Sequence, residues 1–256
     1  MNIYVCVKHV PDTAATIRIN ADGSIDENIT FIMNPYDENA VEAAVQLKNQ
    51  IADAQVIAVT LGNESAEATL RSALAMGADR GILITSAERL DSIATARGLC
   101  AAIKADGPLD IVFMGKESID SEGFQTMYRL GACLECPVVS NAVEFSMTEG
   151  SVRVTCEMES GDLEHIKMEM PCVIGASKDL NQPSYPKLPD ILKARKKPLS
   201  ITALADLEMD MPASRVEMIS MEALNEERQP KIIDGSADEI VDAIVEILRD
   251  KAKVVD

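Results

Sequence analysis

Four times between Ile3 and Arg129 a short, nearly all-apolar run gives way to a segment of helical periodicity, with glycines punctuating the change. The apolar runs are Ile3–Val7, Gln55–Leu61, Gly81–Thr85 and Leu109–Met114. Runs of this length without polar alternation suit strands covered on both faces. The intervening segments, Pro35–Ile51, Ser65–Met76, Asp91–Ala105 and one beginning near Ser121, space their apolar residues as helices do. Pro35 suits a first helical turn and Gly77 a helix end. This alternation predicts an α/β fold with a doubly wound, mostly parallel sheet. Ligands of such sheets sit beyond the carboxyl ends of the strands, where strand order reverses.

That rule draws attention to Asp110–Arg129, DIVFMGKESIDSEGFQTMYR. An apolar run ends at Gly115, a polar loop follows, and a helix begins, capped by Asp120 or Ser121. Free N–H groups of a first helical turn, aided by the helix dipole, favour anions. Ser118, Gln125 and Thr126 add donors. The loop reads as a phosphate site or as a plain strand–loop–helix connection; no glycine-rich consensus decides between them. The loops Cys6–Thr13, Asn34–Asp37 and Leu61-Gly62 are expected to face the same crevice.

Beyond Pro137 the pattern changes. Ile17–Asn20 and Ile25 suggest one hairpin around Asn20-Ala21-Asp22-Gly23; Val152–Met158 and Leu163–Met170 flank a second turn at Glu159–Asp162. Pro171–Ala176 is a further apolar strand. Residues 181–198 hold four of the eleven prolines beside Lys193, Arg195, Lys196 and Lys197, and read as a long surface excursion or a linker. Residues 199–234 read as an extended arm. Asp238–Lys251 closes as an amphipathic helix through Ile240, Val241, Ile244, Ile247 and Leu248. The expected division is a nucleotide-binding domain at 1–198 and a C-terminal arm and helix at 199–256.

Charge narrows the function. The chain has 256 residues, 24 Lys plus Arg against 42 Asp plus Glu, and a net charge of −18. This disfavours nucleic acids and anionic membranes as partners, while a small phosphorylated ligand needs only local donors. No apolar run approaches a membrane span. The opening MNIYVCVKHV is too short in apolar length for a secretion signal, and the scattered cysteines predict a reduced, cytoplasmic setting. Cys133-Leu134-Glu135-Cys136 is a lone CxxC that reads as structural. His9 reads as a solvent-facing loop residue and His165 as an exposed strand residue. No catalytic triad or metal spacing stands out.

Several long stretches resemble one family: VCVKHVPDT (5–13), MNPYDENAVEAAVQLK (33–48), VIAVTLG (56–62), LRSALAMGADRGILI (70–84), DIVFMGKESIDSEGFQT (110–126) and LNQPSYPKLPDILKARKKP (180–198). They are similar, in order and along essentially the whole chain, to the β subunits of electron transfer flavoproteins. The resemblance implies a heterodimer whose α subunit carries a mobile FAD and is wrapped by the C-terminal arm of the β subunit. In simple members the β subunit holds AMP. In electron-bifurcating members a second FAD takes that place and accepts a hydride from NADH. One electron then goes to ferredoxin or flavodoxin, the other through the α-subunit FAD to an acyl-CoA dehydrogenase-like reductase. Val10-Pro11-Asp12-Thr13 looks like the bifurcating version of the first loop.

Carried over by position, Cys6, Val7 and Lys8 would line the adenine or flavin pocket, and Asn34, Pro35, Tyr36, Asp37 and Leu61 would complete its wall. Gly115 and the run Asp120, Ser121, Glu122, Gly123, Phe124, Gln125 and Thr126 would hold the phosphates. Leu188 would anchor the loop that docks the dehydrogenase, and Glu164 matches a hairpin acid near the α-subunit flavin. Met127 stands where the family usually has a small residue, often Gly, and is followed by Tyr128 and Arg129. Ser121-Glu122-Gly123-Phe124 stands where relatives tend to have another Asp and smaller residues. Cys156, Ser160 and Gly175 also depart from the family's pattern. An unrelated nucleotide-binding sensor is what the residues would suggest without the resemblance.

Overall fold

The computed structural model describes residues 1–20, 23–148, 151–210, 214, 216, 218–222, 230 and 232–254. The two central residues of the expected turn at 20–23 and much of 211–231 fall outside them; the Gly23 N–H donates to the Asn20 carbonyl (2.9 Å), and an isolated bridge between Ile19 and Ile25 marks the base of that turn. In chain order the elements are β1 (Asn2–Cys6), β2 (His9–Pro11), β3 (Phe31–Met33), α1 (Pro35–Lys48), β4 (Gln55–Gly62), α2 (Glu67–Met76), β5 (Arg80–Thr85), α3 (Ser92–Asp106) and β6 (Ile111–Gly115). There follow α4 (Thr126–Leu134), β7 (Val138–Thr148), β8 (Ser151–Glu157), β9 (Leu163–Glu169), β10 (Cys172–Ala176), α5 (Leu188–Ala194), β11 (Leu199–Ala203) and α6 (Ala237–Glu246), which runs on as a π-helical turn over Ile247–Ala252.

Nine strands form one sheet in the order β11-β5-β4-β1-β6-β10-β7-β8-β9. Pairing is parallel from β11 to β7 and antiparallel through β7, β8 and β9. The doubly wound α/β architecture is therefore present, with an antiparallel extension. Alternate residues serve opposite faces. Ile3 and Val5 of β1, Val56 and Ala58 of β4, and Ile111 and Phe113 of β6 join one core with α1 and α2. Tyr4, Cys6, Ile57, Val59, Val112 and Met114 join the other with α3 and α4. Both faces of the central strands are buried, which is why these strands read as continuous apolar runs.

Four strands of the described residues are not legible in the sequence: β2 and β3, which pair with each other away from the main sheet, and β7 and β11. β7 is eleven residues long, but a register shift against β8 between Ala142 and Glu144 breaks its period. β11 falls where the sequence reads as the start of the arm; it is an edge strand paired with β5, with Ser200 and Ile201 exposed. Helix α4 begins at Thr126, five residues later than Ser121, because the loop before it is held by other contacts. The chain turns from β1 through β4 to β5, then crosses by α3 to β6 on the other side of β1. Strand order thus reverses between β1 and β6, and the loops leaving those two strands lie side by side.

Candidate functional site

The floor of the crevice is set by one buried carboxylate. Asp37, in the first turn of α1, accepts hydrogen bonds from the backbone N–H of Lys8 (2.7 Å) and of Gly115 (2.8 Å). These are the exit residues of β1 and β6, so one side chain ties both strand ends to one helix. Burial pushes the Asp37 carboxyl up to about 7, against the opposing pull of its hydrogen bonds and of Lys8. A side chain at Gly115 would strike the Asp37 carboxylate and the Tyr36 Cβ, so glycine is what lets α1 approach β6 this closely. Asn34 completes the frame. Its amide donates to the Glu117 carbonyl (2.8 Å) and accepts from the Ile119 N–H (3.1 Å).

Above this floor Lys8 reaches into the 118–121 loop. Its ammonium contacts both Asp120 oxygens (2.6 and 2.8 Å), Ser118 Oγ (3.1 Å) and Ser121 Oγ (3.4 Å). Burial raises the Asp120 carboxyl, but the hydrogen bonds and charge of Lys8 outweigh it and hold the group below the usual carboxylate range. Asp120 and Ser121 thus bind Lys8 and do not cap a helix. The residue that precedes α4 is Gln125, whose side chain makes no capping bond. The N–H groups of the first turn of α4 therefore have no side-chain cap and face an exposed loop, Ser121–Gln125. Gly123 has open space around it. Arg129 donates to the Gln125 side-chain oxygen at 2.5 Å, so its guanidinium points back toward the helix start. The arrangement can hold an anionic group by backbone N–H donors.

Other expected site residues lie deeper. Cys6 and Val7 are buried in and just past β1; the Val7 carbonyl accepts from Thr60 Oγ1 at 2.6 Å. Burial pushes the Cys6 thiol far up. Leu61 is half-buried at the end of β4 and packs where a side chain on Gly98 would stand. Tyr36 is half-buried, with Lys116 and Lys178 over its ring at 5.4 and 5.1 Å. Two departures noted separately in the sequence prove to be one fit. The Met127 sulfur occupies the space a Cβ on Gly175 would need, joining α4 to β10.

His9 corrects an expectation. It is a half-buried residue of β2, stacked on Phe31 (4.6 Å between centroids), with Nδ1 2.8 Å from Thr69 Oγ1 and Nε2 3.2 Å from Ser65 Oγ. Burial lowers its pKa. His165 is exposed on β9, as expected, 3.0 Å from Thr155 Oγ1.

The excursion before β11 is pinned to the domain. Asn39 of α1 donates to the Asn181 carbonyl (2.8 Å), and Asn181 donates back to the Asn39 carbonyl (2.9 Å). Glu42 accepts from the Ser184 N–H (3.0 Å). At the other end Arg71 donates to the carbonyls of Ala194 and Lys197, and Lys197 to those of Leu74 and Ala78. Between the clamps stand exposed apolar side chains: Tyr185 is 95% exposed, Leu188 69%, Leu192 52%. These clamps escaped the sequence reading because each joins residues far apart in the chain. Helix α6 has a capping box at Ser236 and Glu239, no buried residue, and Val241, Ile244 and Val245 exposed.

Among the described residues no cluster of His, Cys, Asp or Glu is arranged to hold a metal ion, and no helix is long and apolar enough to cross a membrane. The sequence model of the electron transfer flavoprotein domain matches residues 22–207. The electron transfer flavoprotein subunit beta of Bacillus subtilis is 34% identical over 260 residues, covering 100% of both chains. That of Homo sapiens is 36% identical over 228 residues, covering 87% of this chain and 88% of its own. That of Syntrophomonas wolfei is 35% identical over 230 residues, covering 87% and 90%.

Proposed function

The chain belongs to the electron transfer flavoprotein family as a β subunit, and from that premise we propose that it is the nucleotide-binding subunit of an electron-bifurcating heterodimer. The observation that carries the nucleotide site is the start of α4, with no side-chain cap, beside the reversal of strand order between β1 and β6. The residues fit a phosphorylated ligand. The first turn of α4 with the side chains of Gln125 and Thr126 holds phosphate, while Ser121, Glu122, Gly123 and Phe124 form the loop over it. Cys6, Val7, Lys8, Asn34, Pro35, Tyr36, Asp37 and Leu61 shape the other end of the crevice, partly as its floor. Gly115 keeps α1 close, and Asp120 fixes Lys8.

The ligand of this reading is FAD, which when bound takes a hydride from NADH and releases single electrons. The chain itself binds, orients and surrounds that group with charge. No side chain need act as acid or base, in keeping with a site built from backbone donors and paired charges. The partners are an α subunit with its own FAD, ferredoxin or flavodoxin, and an acyl-CoA dehydrogenase-like reductase. The clamped segment with Leu188 at its exposed face suits the reductase, and the exposed apolar face of α6 suits the α subunit. The sequence Val10-Pro11-Asp12-Thr13 supports the bifurcating reading.

One observation favours a second reading, in which AMP is a structural ligand. Lys8 is already paired with Asp120, which leaves the N–H groups of one helix start as donors, an arrangement sufficient for a single phosphate. The test is to supply the heterodimer with NADH, ferredoxin and the enoyl-CoA-reducing partner. Ferredoxin reduction that requires the acyl-CoA acceptor to be present supports bifurcation. NADH oxidation without ferredoxin reduction, or none at all, refutes it.

A further inference from the structure

Phe124 and Tyr128 stand exposed on either side of the start of α4, at 36% and 43% of their surface, and the function above uses neither ring. Their centroids are 6.1 Å apart and the planes are tilted by 54°, so each ring leaves a face open and neither stacks on the other. Tyr128 is fixed from behind by a hydrogen bond between its hydroxyl and Ser140 Oγ of β7 (2.7 Å). Phe124 is held by its backbone. It adopts φ +50°, and Glu122, on the other side of Gly123, adopts φ +45°. A bulky aromatic in the left-handed region is strained, and such strain gathers at ligand clamps. Here it turns an apolar ring outward, beside the first turn of α4. Exposed aromatic surface is unfavourable in the chain alone, and a flat ring lying against Phe124 would cover it.

The topology says which part of a ligand that is. Leu61 is the penultimate residue of β4, Lys8 follows β1 and Gly115 ends β6, while Ser140 lies on β7, two strands beyond β6. At strand spacing this is roughly 10 Å past Gly115. The phosphate site at the start of α4 lies between the two halves. A mononucleotide with its base on the Lys8–Leu61 side ends at the phosphate. A dinucleotide goes on to the aromatic pair.

Resting on the nucleotide reading above, we propose that Phe124 and Tyr128 form a stacking platform for the second ring system of a bound dinucleotide, the isoalloxazine of FAD, and so select FAD over AMP. Flat π-systems prefer offset or tilted contact with aromatic side chains, and base-on-aromatic stacking has a sequence-tolerant strength that is lost on truncation.

The test uses the heterodimer, with its α-subunit flavin retained, carrying Phe124→Leu, Tyr128→Leu and both. Leucine keeps an apolar side chain and removes the π-face. Titration with FAD and with AMP is read by calorimetry and by quenching of flavin fluorescence. The expected result is FAD binding weakened roughly tenfold in the double variant, loss of the added quenching, and, for Tyr128→Leu alone, FAD binding weakened while AMP affinity changes less than about twofold on the same scale. Intact AMP binding also reports that the loop is folded. Unchanged FAD affinity, or equal loss for both nucleotides, overturns the platform while leaving the FAD reading in place. A wild-type heterodimer that takes AMP and no FAD in this crevice overturns both. NADH in place of FAD as the added ligand separates a nicotinamide from a flavin: tight NADH binding that depends on both rings, with FAD indifferent to them, also overturns the assignment.

Discussion

At the crevice, polar side chains bond to one another and to strand ends, and the apolar side chains are beneath. In the Lys178–Pro198 segment the arrangement is reversed. There the backbone is tied down by Asn39, Glu42, Arg71 and Lys197, while Tyr185, Leu188 and Leu192 are left in solvent. The difference follows from what each region would face under the proposed function. A small anionic ligand is recognised by donors whose positions must be set in advance, so the charges around them are paired within the fold. A protein partner is recognised by apolar anchors, which must be exposed yet presented on a backbone that loses little freedom on binding. One region therefore spends its polar groups internally on side chains, and the other on holding a loop still.

This contrast can be broken at the crevice with the largest effect. Asp37→Ala leaves the buried N–H groups of Lys8 and Gly115 without an acceptor, and chemical denaturation should show a loss of about 3 kcal/mol. Next is the seam behind α4. Gly175→Val collides with the Met127 sulfur and should cost about 2 kcal/mol; Met127→Ala in the same chain should restore part of it, which a double-mutant cycle measures.

The acid–base behaviour of Asp37 comes third. Its folded pKa, pushed up to about 7, lies above its unfolded value of 3.8. The folded state then binds the proton more tightly, so this residue's contribution is most favourable at low pH. It should decline as pH rises from about 4 to 7, by at most about 1.4 kcal/mol per pH unit, and stay flat above. Asp37→Asn should remove that slope; an identical pH profile in the variant would show that Asp37 is ionised throughout.

Smaller effects belong to the clamped segment. Lys197→Met removes the donor to the Leu74 and Ala78 carbonyls, worth about 1 kcal/mol, and should speed proteolysis near residues 193–196 more than elsewhere. Leu188→Ala should change stability by under about 0.5 kcal/mol. Its expected consequence is slower electron delivery to the dehydrogenase with NADH-driven flavin reduction intact. Equal slowing of both would remove the distinction drawn between the two regions.

The sequence carried the fold where burial is simple. β1, β4, β5 and β6 are covered on both faces, so their apolar runs need no alternation to be read. β7 hid because Asn141, at φ +54°, and the adjoining bulge interrupt its period, and β11 because an edge strand exposes residues such as Ile201. At the crevice, Asp120 and Ser121 have the composition of a helix cap. Only the long-range Lys8 contact, 112 residues distant in sequence, shows their other use. Asp37 could be named as a site residue, yet nothing local distinguishes an acid on a pocket wall from one buried below the floor. Met127 and Gly175 each looked like an isolated departure, since the complementarity of a large and a small residue across a helix–strand seam appears only in three dimensions.

The central claim is that the crevice between β1 and β6 holds FAD. The direct measurement is the flavin and AMP content of this chain co-purified with its α subunit and then denatured. Two FAD per heterodimer and no AMP is the expected result. One FAD with one AMP would contradict it and make the crevice the seat of an inert nucleotide.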